Sequence, residues 1–382
     1  MDAQAINKPL KVESKILPDF RKNHEVLQML DTYQDQLREL FLIRNPHFRF
    51  NPEYQDALEK FFQEHQSGRS WEAMGSWFYF PWNKMLVHFL PDQMHQELRT
   101  ARNKNIITKE EQAKLQDFKV GVGGLSVGSH AVSTMAMMGV ANNLKIADND
   151  TISGSNLNRI RTDFTMVGVK KADAMARFIY QLNPYTNLEV YGEGINPENL
   201  ADFMEKPFRL DILVDELDNL EMKVRMRQIA REMSIPVVMA TDNGDNAIVD
   251  IERYDLDKNT KLFNGAIDES IFNDFSKINP QELPRMALQV AGPELVVPRM
   301  LESLLDVGKT LYSWPQLGDA ATLSGVAIAY LVKKIALGLP VDSGKYEINL
   351  DSIFTLDFSS PASVEGRRAE RVAILQKFGP AS

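Results

Sequence analysis

Leu27, Leu30, Leu37, Leu40 and Ile43 recur at helix-like spacing among charged positions and predict an amphipathic helix within 21–45. Residues 71–90, WEAMGSWFYFPWNKMLVHFL, are dense in aromatics and hold Pro81, a composition that suits strands or an extended hairpin packed in a core. From 117 onward short apolar runs alternate with helical segments, the pattern of βαβ units around a parallel sheet. Strands are predicted at 119–123, 144–148, 188–192, 211–215 and 236–241, with another at 246–254. Helices are predicted near 128–138, 170–182, 198–205 and 219–233. Past 255 the order loosens, with helices at 294–306 and 319–337, the second closed by Gly338. The segment EINLDSIFTLDF reads as strand, and the charged residues after it as a mobile tip. The fold class is therefore α/β, a doubly wound, mostly parallel sheet with an N-terminal α+β extension (1–117), a central domain (118–255) and a mostly helical C-terminal subdomain (256–382).

Length changes this picture little, since 382 residues suit two or three packed units. Charge excludes more: a net −9 argues against general binding to nucleic-acid backbones, which need clustered Lys and Arg. The most apolar stretch, GVAIAYLVKKIALGL, is split by Lys333 and Lys334, and MDAQAINKPLKVESKI lacks the apolar centre of a signal peptide. No membrane association and a cytoplasmic location are the expectation. Cysteine is absent, which excludes disulfides, thiolate zinc sites and a cysteine nucleophile in this chain. The six histidines show no metal-ligand spacing and receive no role.

Candidate chemistry begins at the first βα turn, VGVGGLSVGS (120–129), a strand running into a glycine-rich loop that opens a helix. Gly123, Gly124 and Gly128 let phosphate approach free backbone N–H groups, and Ser126 or Ser129 adds a hydroxyl donor. Asp148, with Asp150 close behind, ends the second strand where a carboxylate accepts ribose hydroxyls. The loop 241–246 follows the fifth strand, where parallel sheets place binding residues, but its Asn-Gly pair favours a hairpin turn.

The next segment, DNDTISGSNLNR (148–159) followed by GVKKA (168–172), resembles the ThiF / MoeB / ubiquitin-activating-enzyme superfamily. Its pattern is an Asp ending the second strand, then Ser-Asn-Leu-x-Arg, then Gly-x-x-Lys-Ala opening a helix. DILVDELDN (211–219) resembles that family's apolar strand ending in Asp-Asn. The resemblance implies a Rossmann-like ThiF-type adenylation domain at 118–255. It further implies Asp148 at the ribose, Asn156, Arg159 and Lys171 at the triphosphate of ATP, and Asp218 at magnesium. As isolated residues Arg159 and Lys171 read as surface charges and Asp218 as a helix N-cap; their shared order favours the site. Attack of a carboxylate on the α-phosphate brings two anions together, which cations and a metal ligand offset.

Departures from the family pattern matter too. Leu125 and Ser126 stand where glycines are usual, and Lys223 where the family often has Arg, with Arg225 and Arg227 near. The chain more closely resembles a bacterial subset with a Gly-Leu-Ser-Val-Gly loop, some members of which are fused to a nitroreductase-like domain. The resemblance implies a homodimer in which Arg99 or Arg102 reaches the neighbour's ATP. The implied function is ATP- and magnesium-dependent adenylation of a carboxylate, a peptide C-terminus or a small acid, with direct transfer to an external nucleophile because no cysteine exists. Two alternatives stay open: a nicotinamide- or flavin-binding oxidoreductase component, and a non-catalytic nucleotide-binding scaffold.

Overall fold

The computed structural model describes residues 7–273, 275, 278–279 and 282–378. The chain forms two compact units, Met1–Asp117 with Ala136–Asn142 and Ala176–Asn187, and Phe118–Met135 with Asn143–Met175 and Leu188–Ser382.

In the first unit, β1 (Leu10–Val12), β2 (Gln28–Asp31), β3 (Ser76–Phe80) and β4 (Met85–Phe89) form a sheet of order β1-β3-β4-β2. The aromatic run is the expected hairpin, with β3 and β4 antiparallel and Trp77 opposite His88. Trp77, Tyr79 and Leu86 bury against Val12, Leu17 and Phe20, so this run is core. The single helix expected over 21–45 is corrected. Helices Leu17–Asn23 and Tyr33–Arg44 flank β2, which pairs in parallel with β4. Leu37 and Leu40 face the core, whereas Leu27 and Leu30 are exposed on or beside a strand. Pairing with β4 overrode a periodicity that two leucines had suggested.

The second unit is built on β5 (Lys119–Gly123), β6 (Asn143–Ala147), β7 (Asn187–Tyr191), β8 (Ile212–Asp215), β9 (Val237–Asn243), β10 (Asn246–Glu252) and β11 (Gly344–Ile348). Their order is β11-β10-β9-β8-β5-β6-β7. β5 runs parallel to both β6 and β8, and β8 to β9, while β10 and β11 add antiparallel at one side. Val120, Val122, Ile146, Leu213 and Val214 are wholly enclosed, as strands covered on both faces require. The loops after β5, β6, β8 and β9 leave one edge of the sheet, and β5, flanked on both sides, is where the strand order reverses. Ligands of such sheets bind at that place.

Past β10 the reading needs correction. Pro298 opens helix Pro298–Asp306, so the segment from 294 is not helical, and helix Leu283–Ala291 was not foreseen. Helix Gly318–Ala336 ends as expected, with Gly338 at φ +68. Of EINLDSIFTLDF only the first residues extend β11, and Asp351–Phe354 turns helical. The charged tail folds as helix Pro361–Gln376, whose Ser360 hydroxyl accepts the Ser363 N–H at 3.3 Å. Ile374 anchors it beside Ile248, Val296, Met300 and Leu301, a contact that local charge gives no hint of. Residues 379–382 of the expected mobile tip lie outside the described residues.

Candidate functional site

After β5 the chain turns at Gly124, whose φ is +88 and where a Cβ would stand 2.1 Å from the Glu216 carbonyl oxygen. Only glycine fits. The next residue, Leu125, donates its N–H to Asp148 Oδ2 at 2.7 Å, while Asp148 Oδ1 accepts the Asp150 N–H at 2.8 Å. Asp148 thus ties the end of β6 to the glycine loop. Burial pushes its carboxyl above the usual carboxylate range, against the opposing pull of Lys171, whose Nζ is 4.0 Å away. The same Nζ lies 2.7 Å from Asp150 Oδ2. Ser129, buried at the start of helix Gly128–Met138, donates its hydroxyl to the Ser126 carbonyl at 2.7 Å.

The Ser-Asn-Leu-x-Arg segment folds as a short 3-10 turn, Gly154–Asn156, closed by Asn156 Oδ1 accepting the Ser153 N–H at 3.1 Å. Arg159 follows, and its Nε donates to Ser126 Oγ at 3.3 Å while one Nη donates to the Ser155 carbonyl at 3.2 Å and to Asn158 Oδ1 at 3.0 Å. Its backbone is held by a residue to which sequence reasoning assigned nothing. His130 Nε2 lies 2.5 Å from the Arg159 carbonyl, and His130 Nδ1 accepts from Arg161 Nε at 3.1 Å. An accepting Nδ1 requires the neutral ring with its proton on Nε2, and burial lowers the His130 pKa in the same sense. A histidine in the first turn of the phosphate-loop helix was the available signal.

At the end of β8, Asp215 is wholly buried and paired with Arg227 and with Lys223, the latter at 3.2 Å. Arg227 Nε also donates to Glu252 Oε2 at 2.7 Å. Three residues beyond Asp215, Asp218 is exposed. The N-cap of helix Leu220–Glu232 is Asn219, which accepts the Met222 N–H at 2.9 Å, so Asp218 is not spent on that duty. Among the described residues no hydrogen bond or ion pair engages the Asp218 carboxylate.

Ser126, Asp150, Asn156, Arg159, Lys171 and Asp218 line one cavity of about 530 Å³. Asp148, Gly123, Gly124 and Gly128 are not among its lining residues and act on it through the loop backbone. The loop at 241–246 is the hairpin between β9 and β10, with Gly244 at φ +68, yet Thr241 and Asp242 also line the cavity. Asp242, nearly buried, accepts from Ser324 Oγ at 2.8 Å and from Gln316 Nε2 at 3.3 Å, and burial pushes its carboxyl up to about 6. Glu216, also lining, accepts the Ala240 N–H at 2.8 Å. Glu216 was not singled out beforehand, and Asp242 only as a member of the 241–246 loop. A second cavity of about 1080 Å³ lies among Gly244, Asn246, Arg299, Arg367 and Arg371, and Gln316 belongs to the walls of both.

Arg99 and Arg102 belong to the first unit. Arg99 donates to the Ala136 carbonyl within that unit, whereas Arg102 is exposed. No group of three or more His, Cys, Asp or Glu that could hold a metal occurs among the described residues, and none of their helices is long and apolar enough to cross a membrane.

Residues 99–248 match the ThiF family. The chain is similar to the Mycobacterium tuberculosis uncharacterized protein MT1398, 33% identical over 281 residues, covering 74% of this chain and 39% of that protein. It is also similar to the Haemophilus influenzae molybdopterin-synthase adenylyltransferase, 32% identical over 155 residues, covering 38% of this chain and 61% of that enzyme. The crystal structure of the E. coli tRNA N6-threonylcarbamoyladenosine dehydratase TcdA aligns at 18% identity with a TM-score of 0.46, covering 63% of this chain and 95% of that one. This chain thus spans well under two thirds of the length of the first of these relatives and somewhat under two thirds of the second. By this match, and by the motifs that first suggested it, the chain carries a ThiF family domain over residues 99–248.

Proposed function

We propose that the second unit binds ATP and adenylates a carboxylate, with the acyl group passing directly to an external nucleophile. The observation that carries this reading is that Arg159 and Lys171, from the connection after β6, and Asp218, from the end of β8, line one cavity beside the glycine loop. The similarity to an adenylyltransferase points the same way. A dinucleotide-binding oxidoreductase gives this pair of cations and the free carboxylate no work.

In this reading the ribose role expected of Asp148 passes to Asp150, since both Asp148 oxygens already accept N–H groups and Asp150 lines the cavity, and Arg159 offers its planar fork to phosphate oxygens. Lys171, already oriented by Asp150, adds a point charge. The substrate carboxylate oxygen attacks the α-phosphorus, and the bond to pyrophosphate breaks. Preorganised cations stabilise the charge that crowds there. Asp218 fits a magnesium ion because its carboxylate is unengaged and faces the cavity. Magnesium takes most of its ligands from phosphate and water, so one protein carboxylate suffices. When bound, it neutralises phosphate charge. The chain has no cysteine to carry the acyl group, hence the direct transfer.

The assembly proposed is a two-fold homodimer, the commonest closed form. Arg102, exposed, is the better candidate for reaching a neighbour's nucleotide, since Arg99 is engaged within its own unit. Calorimetry with ATP and magnesium tests the central claim. Binding lost in Arg159→Ala and kept in Arg209→Ala is expected; NADH binding without ATP binding overturns it.

A further inference from the structure

Two elements of the site suit phosphate, the start of helix Gly128–Met138 and the guanidinium of Arg159. They belong to different connections of the sheet, and Arg159 lies outside every helix and strand. Its side chain is directed by Ser126, Ser155 and Asn158, but among the described residues no backbone N–H meets its carbonyl. A side chain does so instead: His130 Nε2, 2.5 Å away, from the first turn of the loop helix. The direction of that bond is fixed, because Nδ1 accepts from Arg161 Nε at 3.1 Å and the proton must then sit on Nε2. Helix Gly318–Ala336 holds the histidine in turn. Thr322 Oγ1 stands 3.3 Å from Nδ1, and a Cβ at Gly325 would come within 2.2 Å of the His130 Cβ. His130 is buried, so water does not compete for these contacts. It is not among the residues lining the cavity, and whatever it does for a nucleotide passes through Arg159.

We propose that His130 is a positioning residue for phosphate binding: its Nε2–H bond to the Arg159 carbonyl fixes the arginine's main chain to the phosphate-loop helix, so that the guanidinium meets ATP already ordered. This rests on the reading that Arg159 holds the phosphates of ATP. An arginine on an unanchored turn loses backbone and rotamer freedom when it grips phosphate, and that loss weakens affinity. Anchoring the main chain beforehand removes part of the cost. The neutral ring adds no charge to the site; it supplies one donor at one place. Helix start and arginine fork are thereby held at a set separation, the preorganisation that a charged ligand rewards.

Calorimetry on the full chain, with ATP and magnesium and separately with adenosine, tests this in wild type, His130→Ala, His130→Gln, Arg159→Ala and the double variant His130→Ala/Arg159→Ala. His130→Ala is expected to weaken ATP about tenfold, the worth of one such hydrogen bond, and to leave adenosine binding unchanged. His130→Gln is expected to recover most of that loss, because its amide NH₂ donates to the same carbonyl while its oxygen accepts from Arg161. Once Arg159 is gone, removing His130 as well is expected to cost nothing more. The wild-type ring is expected to show the Nε2–H tautomer in its nitrogen-15 spectrum, a reading that decides the bond even where a variant does not fold. Unchanged ATP binding in His130→Ala, equal losses for ATP and adenosine, additive losses in the double variant, no rescue by glutamine, or a ring proton on Nδ1 each overturns the proposal. Wild-type protein that binds no ATP overturns the adenylation reading and this one with it. That titration contains no variant, so the two failures are told apart.

Discussion

The Leu125 N–H meets Asp148 Oδ2 at 2.7 Å, joining the glycine loop to the tip of the neighbouring strand. The carboxylate that the family pattern gives to the ribose is instead spent on shaping the phosphate loop. Asp148→Asn retains size but leaves one acceptor for two N–H donors. Amide exchange at Leu125 is expected to accelerate about tenfold or more, the loss of roughly one buried hydrogen bond. Unchanged protection at that amide would refute the tie.

Gly124 and Gly154 flank the same cavity and are expected to respond in opposite ways to alanine. At Gly124 the backbone is left-handed and the new Cβ meets the Glu216 carbonyl, whereas nothing lies within 4 Å of the Cβ position at Gly154. Gly124→Ala is expected to lose about 2 to 4 kcal/mol of unfolding free energy in urea, from strain and overpacking together. Gly154→Ala is expected to stay within about 1 kcal/mol of wild type.

Arg227 has no exposed surface and holds Asp215 and Glu252 together beneath the site. Arg227→Met leaves the buried Glu252 without its cation and Asp215 with Lys223 alone, a loss expected at about 3 to 5 kcal/mol. A urea midpoint within error of wild type would show that the network is not holding the fold.

Asp242 gives a pH signature. Its folded pKa, about 6, lies above the ordinary Asp value of 3.8, so the native state binds its proton more tightly than the unfolded chain. The stability this contributes is complete below about pH 4 and is lost as pH rises through about 6. The difference in unfolding free energy between wild type and Asp242→Asn is expected to shift by about 3 kcal/mol from well below pH 4 to well above pH 6, wild type losing ground with rising pH. A flat difference would place the titration elsewhere.

The central sheet was legible because buried parallel strands write their positions as short apolar runs: β5 and helix Gly128–Met138 fall where the pattern puts them. The residues at the cavity were legible through motif order, not through periodicity. What stayed hidden was long-range. Nothing local distinguishes Leu27 and Leu30 on a helix face from the same leucines at a strand paired with β4. The Pro361–Gln376 helix depends on one buried isoleucine, Ile374, meeting residues more than seventy positions earlier. Glu216 follows from topology alone, since strand ends on a common edge bring it to the same cavity as Asp242, whose loop the strand pattern had already marked.

Gln316 stands in the walls of both cavities and donates to Asp242. A guest in either chamber that turns this one amide alters the volume and the hydrogen bonding of the other. Linkage then makes the influence mutual: whatever factor the first occupant imposes on the second, the second imposes on the first. One side chain, neither catalytic nor at the surface of any motif, is enough to make two neighbouring chambers a thermodynamic pair.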